Sequence, residues 1–198
     1  MNRAIRRLWT VQIREGKREK KETKAKLPFS CPQLGERVLG VDPSLRGTGV
    51  AVISVAEEGR FHLDYSKTLS WPSAYTFFDC LRALFESLTE VVTTFKIHSA
   101  ALEQTIFVQS VSVAQKLGAS RGAAVAAIAI RGIPIYEYLP LRVKKSVVGY
   151  GRANKIQVAK MVRALLGLKE ELAHDESDAA AVALCHIFNF RKNYSGSG

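Results

Sequence analysis

Cysteine is scarce and scattered: Cys31, Cys80 and Cys185 are the only three in 198 residues, and no two form a CxxC pair. Neither a disulfide framework nor a thiolate zinc site is indicated, and a reducing cytoplasm is the natural setting. Long hydrophobic runs are missing too. The longest nearly apolar stretch, Gly122 to Ile130, falls well short of the roughly 18 residues that a membrane-spanning helix requires. No apolar segment of the kind found in secretory signals follows the first arginines, and Glu15, Glu19 and Glu22 do not suit a mitochondrial transit peptide. The segment VGYGRANK contains glycines but lacks the GxxxxGK[ST] pattern, so no P-loop nucleotide site is implied. There is no internal repeat.

What is present is an ordinary globular composition with an unusual charge. Hydrophobic residues make up 47% and charged residues 24%, enough for a full core in one domain. Lys and Arg number 29 against 18 Asp and Glu, a net charge of +11, which is the footprint of a protein that meets phosphate backbones. Residues 1–36 hold ten basic and four acidic residues, in a run with little apolar periodicity that ends near Pro28 and Pro32. This reads as a basic, flexible N-terminal arm. Residues 37–190 read as the folded domain and 191–198 as a flexible tail.

From Arg37 the texture changes. RVLGVD, GVAVIS and FHLDYSKTL read as three strands in quick succession, an antiparallel meander. After Pro72, Phe77, Phe78, Leu81, Leu84, Phe85 and Leu88 recur at helical spacing, predicting a helix to about Thr94. SAALEQ is a fourth strand and PIYEYL a fifth. Between them, residues 113–130 form an Ala- and Gly-rich helix whose small side chains allow close approach of another backbone, either in the core or at a subunit contact. Two more helices follow, ANKIQVAKMVRALL and DESDAAAVALCHIF. The expected architecture is α/β: a mixed five-stranded sheet flanked by helices on both faces.

Four acidic residues stand beside apolar sequence. Asp42 ends the first strand, and Pro43 keeps it extended; on its own, Asp-Pro is also a turn signal. Glu103 ends the fourth strand. Asp175 and Asp178, three apart, share a helix face, although Asp175 as N-cap and Asp178 three residues on also resemble a capping box. If the four converge, their repulsion demands a positive partner. Oxygen-only donors favour a hard cation, Mg²⁺ or Mn²⁺, over zinc. In a basic protein the matching chemistry is phosphodiester hydrolysis.

The blocks VLGVDPSLRGTGVAVI, ALEQTIFVQSVSVAQKLGASRGAAV, IYEYLPLRVKKSVVGYGRANKIQV and HDESDAAAVALCH resemble, in order and spacing, the bacterial RuvC family of Holliday junction resolvases. The resemblance spans about residues 37–190. It implies an RNase H-like fold and a homodimer that cuts two opposed strands of a four-way DNA junction symmetrically with Mg²⁺, expected as two ions per subunit with Mn²⁺ able to substitute. It also implies RuvA and RuvB branch-migration proteins as partners. The four acidic positions of the family fall on Asp42, Glu103, Asp175 and Asp178, and Lys144 and Lys155 match its basic positions near the scissile phosphate. A junction is approximately two-fold symmetric, so an isologous dimer delivers paired nicks by geometry.

Around those lysines, Arg142, Lys145 and Arg152 complete a group of five cations within fourteen residues, suited to several phosphates. Two departures from the family pattern stand out. Ser44 follows Pro43 where the family has glycine, and Ile106 occupies a position that is commonly aromatic, with Phe107 next to it; an aromatic ring can stack on a base where an aliphatic one can only wedge. His174 is adjacent to the acidic pair, a candidate proton shuttle, while His186 on an Ala-rich helix face reads as a hydrogen-bonded core histidine. Two other functions fit the same residues: a catalytically silent protein that binds branched DNA, and an RNase H-like nuclease acting on RNA·DNA hybrids.

Overall fold

The computed structural model describes residues 32, 34–104 and 110–194, except the side chains of Glu58 and of residues 191–194. Ile106, Phe107, residues 195–198 and the N-terminal segment other than residues 32 and 34–36 lie outside the described residues.

Strands β1 (Arg37–Asp42), β2 (Thr48–Val55) and β3 (Phe61–Leu69) form the expected antiparallel meander, joined by β4 (Ser99–Glu103) and β5 (Ile135–Tyr138), both parallel to β1. The sheet order is β3-β2-β1-β4-β5. Alternation splits the strands between two cores. Leu39, Val41, Val50, Val52, Ala100 and Leu102 face α1 (Phe77–Thr94) and α2 (Val111–Ala129). Val38, Ala51, Ile53 and Ala101 face the helices on the other side, α3 (Pro140–Val148), α4 (Lys155–Leu165) and α5 (His174–Tyr194). Helices cover both faces, as the order of elements predicts.

Helix α5 sets the position of everything functional on its side. Residues Ala179 to Ile187 are each at most 1% exposed, because the helix is sandwiched between the sheet and α3 and α4. It lies unusually close to the strands. A Cβ at Gly40 would stand 2.0 Å from the Ala179 carbonyl oxygen, and one at Gly49 1.9 Å from that of Asp175. Two strand-interior glycines under an Ala-rich helix thus let backbone meet backbone, the usual meaning of glycine inside a strand. His186 is buried, its Nδ1 2.8 Å from the Tyr138 hydroxyl and its Nε2 3.1 Å from Ser99 Oγ, the hydrogen-bonded core histidine expected. Burial holds it down at about 4 and hence neutral.

Three local features differ from the sequence-based expectation. Helix α3 is additional: Pro140 opens it, Val143 and Val147 are its buried i,i+4 pair, and Gly149 at φ 97° closes it. Helix α5 begins at His174, so Asp175 lies inside the first turn rather than at the N-cap. It also continues to Tyr194, four residues past the boundary expected for the tail. The long helix after Pro72 starts at Phe77, where a Thr76–Asp79 capping box fixes its end.

Candidate active site

Asp42 and Glu103 end neighbouring parallel strands. Val41 pairs with Leu102, so the two carboxylates stand side by side at the carboxyl edge of the sheet, on the face that packs against α5. Carboxyl ends of parallel strands are where open α/β sheets present their ligands. Asp178 approaches from the first turns of α5. These three line one cavity of about 280 Å³ together with Lys144 from α3, Lys155 from α4, and Pro140, Val143, Val158 and Ala181. A second cavity, about 300 Å³ between β3 and α1, is lined by Lys67 and Glu90 among apolar and hydroxyl side chains and gathers no comparable group. The fourth acid, Asp175, stands at the rim beside the β1–β2 turn, where a Cβ on Gly47 would lie 3.2 Å from its Oδ2.

The electrostatics record the convergence. Burial, then the charges of Asp178 and Asp175, push Asp42 up to about 6, with Lys155 opposing. Burial, then Asp42 and Asp178, push Glu103 up to about 7 against Lys155 and Lys144. Lys155 Nζ lies 2.9 Å from Asp178 Oδ2. That hydrogen bond and the charges of Asp178, Asp42 and Asp175 hold the ammonium above its ordinary range despite partial burial. The pocket therefore carries surplus negative charge for which an internal ammonium is the counter-ion.

Among the described residues, no three His, Cys, Asp or Glu side chains stand close enough together to ligate one ion. The chemistry of the donor set nevertheless fits a hard cation. Its donors are oxygens only, its carboxylates are raised by one another, and a cation already occupies the seat beside Asp178.

The five basic candidates separate. Lys144 and Lys155 line the pocket, and Lys145 and Arg152 are exposed beside it in sequence. Arg142 instead turns to the protein: its Nε and Nη2 reach Asn189 Oδ1 at 3.0 and 2.6 Å, and its guanidinium stacks 5.6 Å over the Tyr138 ring. Other contributors were not marked by the sequence pattern. Arg121 from α2 donates to the Glu103 carbonyl oxygen at 3.0 Å and pairs with Glu137, pinning the end of β4. Glu176 turns away from the pocket toward β3. Gly40 and Gly49, visible only as strand glycines, admit α5.

Comparison with known proteins places this geometry. The family model for crossover junction endodeoxyribonuclease RuvC matches residues 38–186. The crossover junction endodeoxyribonuclease RuvC of Trichlorobacter lovleyi is 44% identical over 155 residues, covering 78% of this chain and 86% of the relative. The Thermus thermophilus RuvC structure matches with a TM-score of 0.73 at 31% identity, over 79% of this chain and 96% of that one. T. thermophilus RuvC in complex with Holliday junction substrate matches at 0.72 and 29% identity, over the same shares. The RNase H-like sheet, the matched length and the carboxylates at the ends of β1 and β4 agree, and the chain belongs to the RuvC family of crossover junction endodeoxyribonucleases.

Proposed function

We infer that this protein is a structure-specific endonuclease that resolves four-way DNA junctions by nicking two opposed strands, in recombination and repair. The observation that carries this reading is the pocket itself: Asp42, Glu103 and Asp178 facing one another with Lys144 and Lys155, in a chain that matches the family nearly end to end of its folded part. Asp42, Glu103, Asp175 and Asp178 are the proposed catalytic and metal-holding residues, with Mg²⁺ as the ion, two per subunit, and Mn²⁺ as a substitute. When bound, the metal supplies an activated water and stabilises the leaving oxygen of the phosphodiester.

The rest is the work of the chain. Lys144 and Lys155 hold the phosphate at the mouth of the pocket, and Lys155 exchanges its partner Asp178 for the substrate anion as the acids are neutralised. Lys145 and Arg152 contact flanking phosphates. Ile106 or Phe107 meets the junction bases, and residues 1–36 add charge along the arms. Arg142, held by Asn189 and Tyr138, supports the α3–α5 contact rather than gripping DNA. A homodimer gives two such pockets related by a two-fold axis, and the exposed face of α2, with Gly118 and Gly122 open to solvent, is the proposed contact. RuvA and RuvB are the expected partners. The cytoplasm is the proposed location; among the described residues no helix is long and apolar enough to cross a membrane.

The test is a Mg²⁺ titration against an end-labelled four-way junction, with linear duplex and an RNA·DNA hybrid as competitors. Paired, symmetric nicks in the junction are expected. Binding with no nicked product at any metal concentration would identify a silent junction-binding protein, and preferential cutting of the hybrid an RNase H-like nuclease.

A further inference from the structure

We propose that Glu176 is a positioning residue, a clamp between α5 and the edge strand β3 that fixes how Asp175 and Asp178 stand over the sheet; the inference rests on the reading of those acids as the metal site. Glu176 lies between them in sequence and would pass for a further member of the set. Its carboxylate goes elsewhere. Oε2 accepts a hydrogen bond from Ser66 Oγ at 2.6 Å, and Oε1 accepts one from the Thr68 backbone N–H at 3.2 Å. β3 is the last strand of the sheet, so an outward N–H there has no neighbouring strand to pair with. Glu176 takes that place.

Three further observations make this a built contact. A register shift between Val52 and Ile53 leaves Asp64 as the extra residue of a bulge, with its carboxylate held by Arg37, Ser54 and His62. The bulge reverses the alternation of β3: Phe61 and Leu63 pack on the α5 side before it, Tyr65 and Leu69 on the opposite side after it. Ser66 and Thr68 thereby point to α5. Second, Thr68 pairs with Gly49, the glycine on which the Asp175 backbone rests, so clamp and contact act on the same turn of helix from adjacent strands. Third, Thr68 Oγ1 and Ser177 Oγ are buried without a hydrogen-bond partner among the described residues, so neither supplies a second polar tie.

Asp175 in the first turn of α5 and Asp178 in the next both raise Asp42 by their charge, so repulsion tends to lift this end of the helix from the sheet. A clamp on its far side keeps the two acids at the depth from which they can share an ion. Partners of this kind, one contact removed from a ligand, tune metal affinity.

Glu176→Ala and Glu176→Gln in the full chain test this. Gln keeps an oxygen for the Thr68 N–H and removes the charge. Two readouts are taken without DNA: the Mg²⁺ concentration that half-saturates the rise in melting temperature, and amide hydrogen exchange of the peptide spanning residues 174–179 in EDTA. Cleavage of a labelled junction against Mg²⁺ and junction affinity in Ca²⁺ are measured in parallel. Expected for Ala is an increase of about tenfold in half-saturating Mg²⁺, faster exchange of the first turn, and junction affinity like the wild type; Gln recovers most of each. Unchanged exchange and metal response in Ala would overturn the clamp, and Gln matching Ala would show that Glu176 acts through its charge instead. Absence of cleavage by the wild type would count against the resolvase reading, and the exchange measurement then decides the clamp alone.

Discussion

Asp42 illustrates how the pocket trades stability for chemistry. Its carboxyl is raised from 3.8 to about 6 in the folded chain, so between those values the folded state holds a proton that the unfolded state has released. The unfolded chain binds fewer protons there, and the contribution of Asp42 to stability is present at low pH and lost as pH rises through about 6. His186, lowered by burial to about 4, runs the opposite way, losing stability as pH falls from its unfolded value toward 4. A single substitution separates them. In EDTA, Asp42→Asn is expected to melt higher than the wild type at pH 8 and level with it at pH 4, and Mg²⁺ should reverse the order at pH 8 by stabilising only the wild type. Equal melting at pH 8 in EDTA would mean that Asp42 is not crowded. Away from the pocket, Tyr138→Phe strands one nitrogen of the buried His186 without its partner and should lower stability by about 1–2 kcal/mol in urea unfolding. The four acids stood out in sequence because carboxylates beside apolar strand and helix sequence call for a positive partner, whereas Lys144 and Lys155 were singled out only by the resemblance to the RuvC family. Glu176 and Arg121 did not stand out, since nothing in a linear pattern shows that one carboxylate of DESD turns toward a distant strand, or that an arginine of α2 reaches the end of β4.

At the level of elements, the strands were readable as short apolar runs rich in β-branched residues and α4 as the helical stretch ANKIQVAKMVRALL, while the Asn154–Gln157 capping box that fixes its start emerges from the structure. Helix α3 escaped notice because its basic residues draw attention away from Val143 and Val147, although Pro140 and Gly149 mark both ends. The bulge at Asp64 escaped for a different reason: FHLDYSKTL alternates on either side of it, but in opposite phase. Closeness between α5 and the sheet is also invisible before the fold is known, and it is severe. Gly40→Ala must displace the Ala179 carbonyl that a Cβ would meet at 2.0 Å. It is expected to cost about 3 kcal/mol, read by denaturant unfolding, and to reduce metal affinity as α5 lifts. A variant with normal stability would show that α5 can yield at no cost.

For the whole molecule, the net charge of +11 and the grouped lysines predict salt-dependent binding. Replacing Lys145 or Arg152 by Ala should lower the slope of log affinity against log salt by about 1 each, with cut positions unchanged, whereas Arg142→Ala should leave the slope intact and lower stability instead. The dimer proposal has its own discriminating variant. In a lone subunit, Gly122→Ala meets open space and should stabilise α2 by about 0.5–1 kcal/mol. If two copies of α2 meet there, the same methyl group should weaken dimerisation in sedimentation experiments and uncouple the two nicks. A dimer unaffected by Gly122→Ala would place the contact on another face. Fold class was the most legible level of all, because four ordered blocks across residues 37–190 resemble one family more specifically than any single motif does; the segments outside the described residues keep their roles as proposals.

Whether acids distant in sequence form one metal-holding pocket that cuts junction DNA is decided by comparing the wild type with Asp42→Asn on a labelled four-way junction in Mg²⁺, scoring binding and nicking separately. Symmetric paired nicks are expected from the wild type, and from the variant comparable binding with no product. Normal turnover by Asp42→Asn, or binding without nicking by the wild type at every Mg²⁺ concentration, would contradict such a pocket.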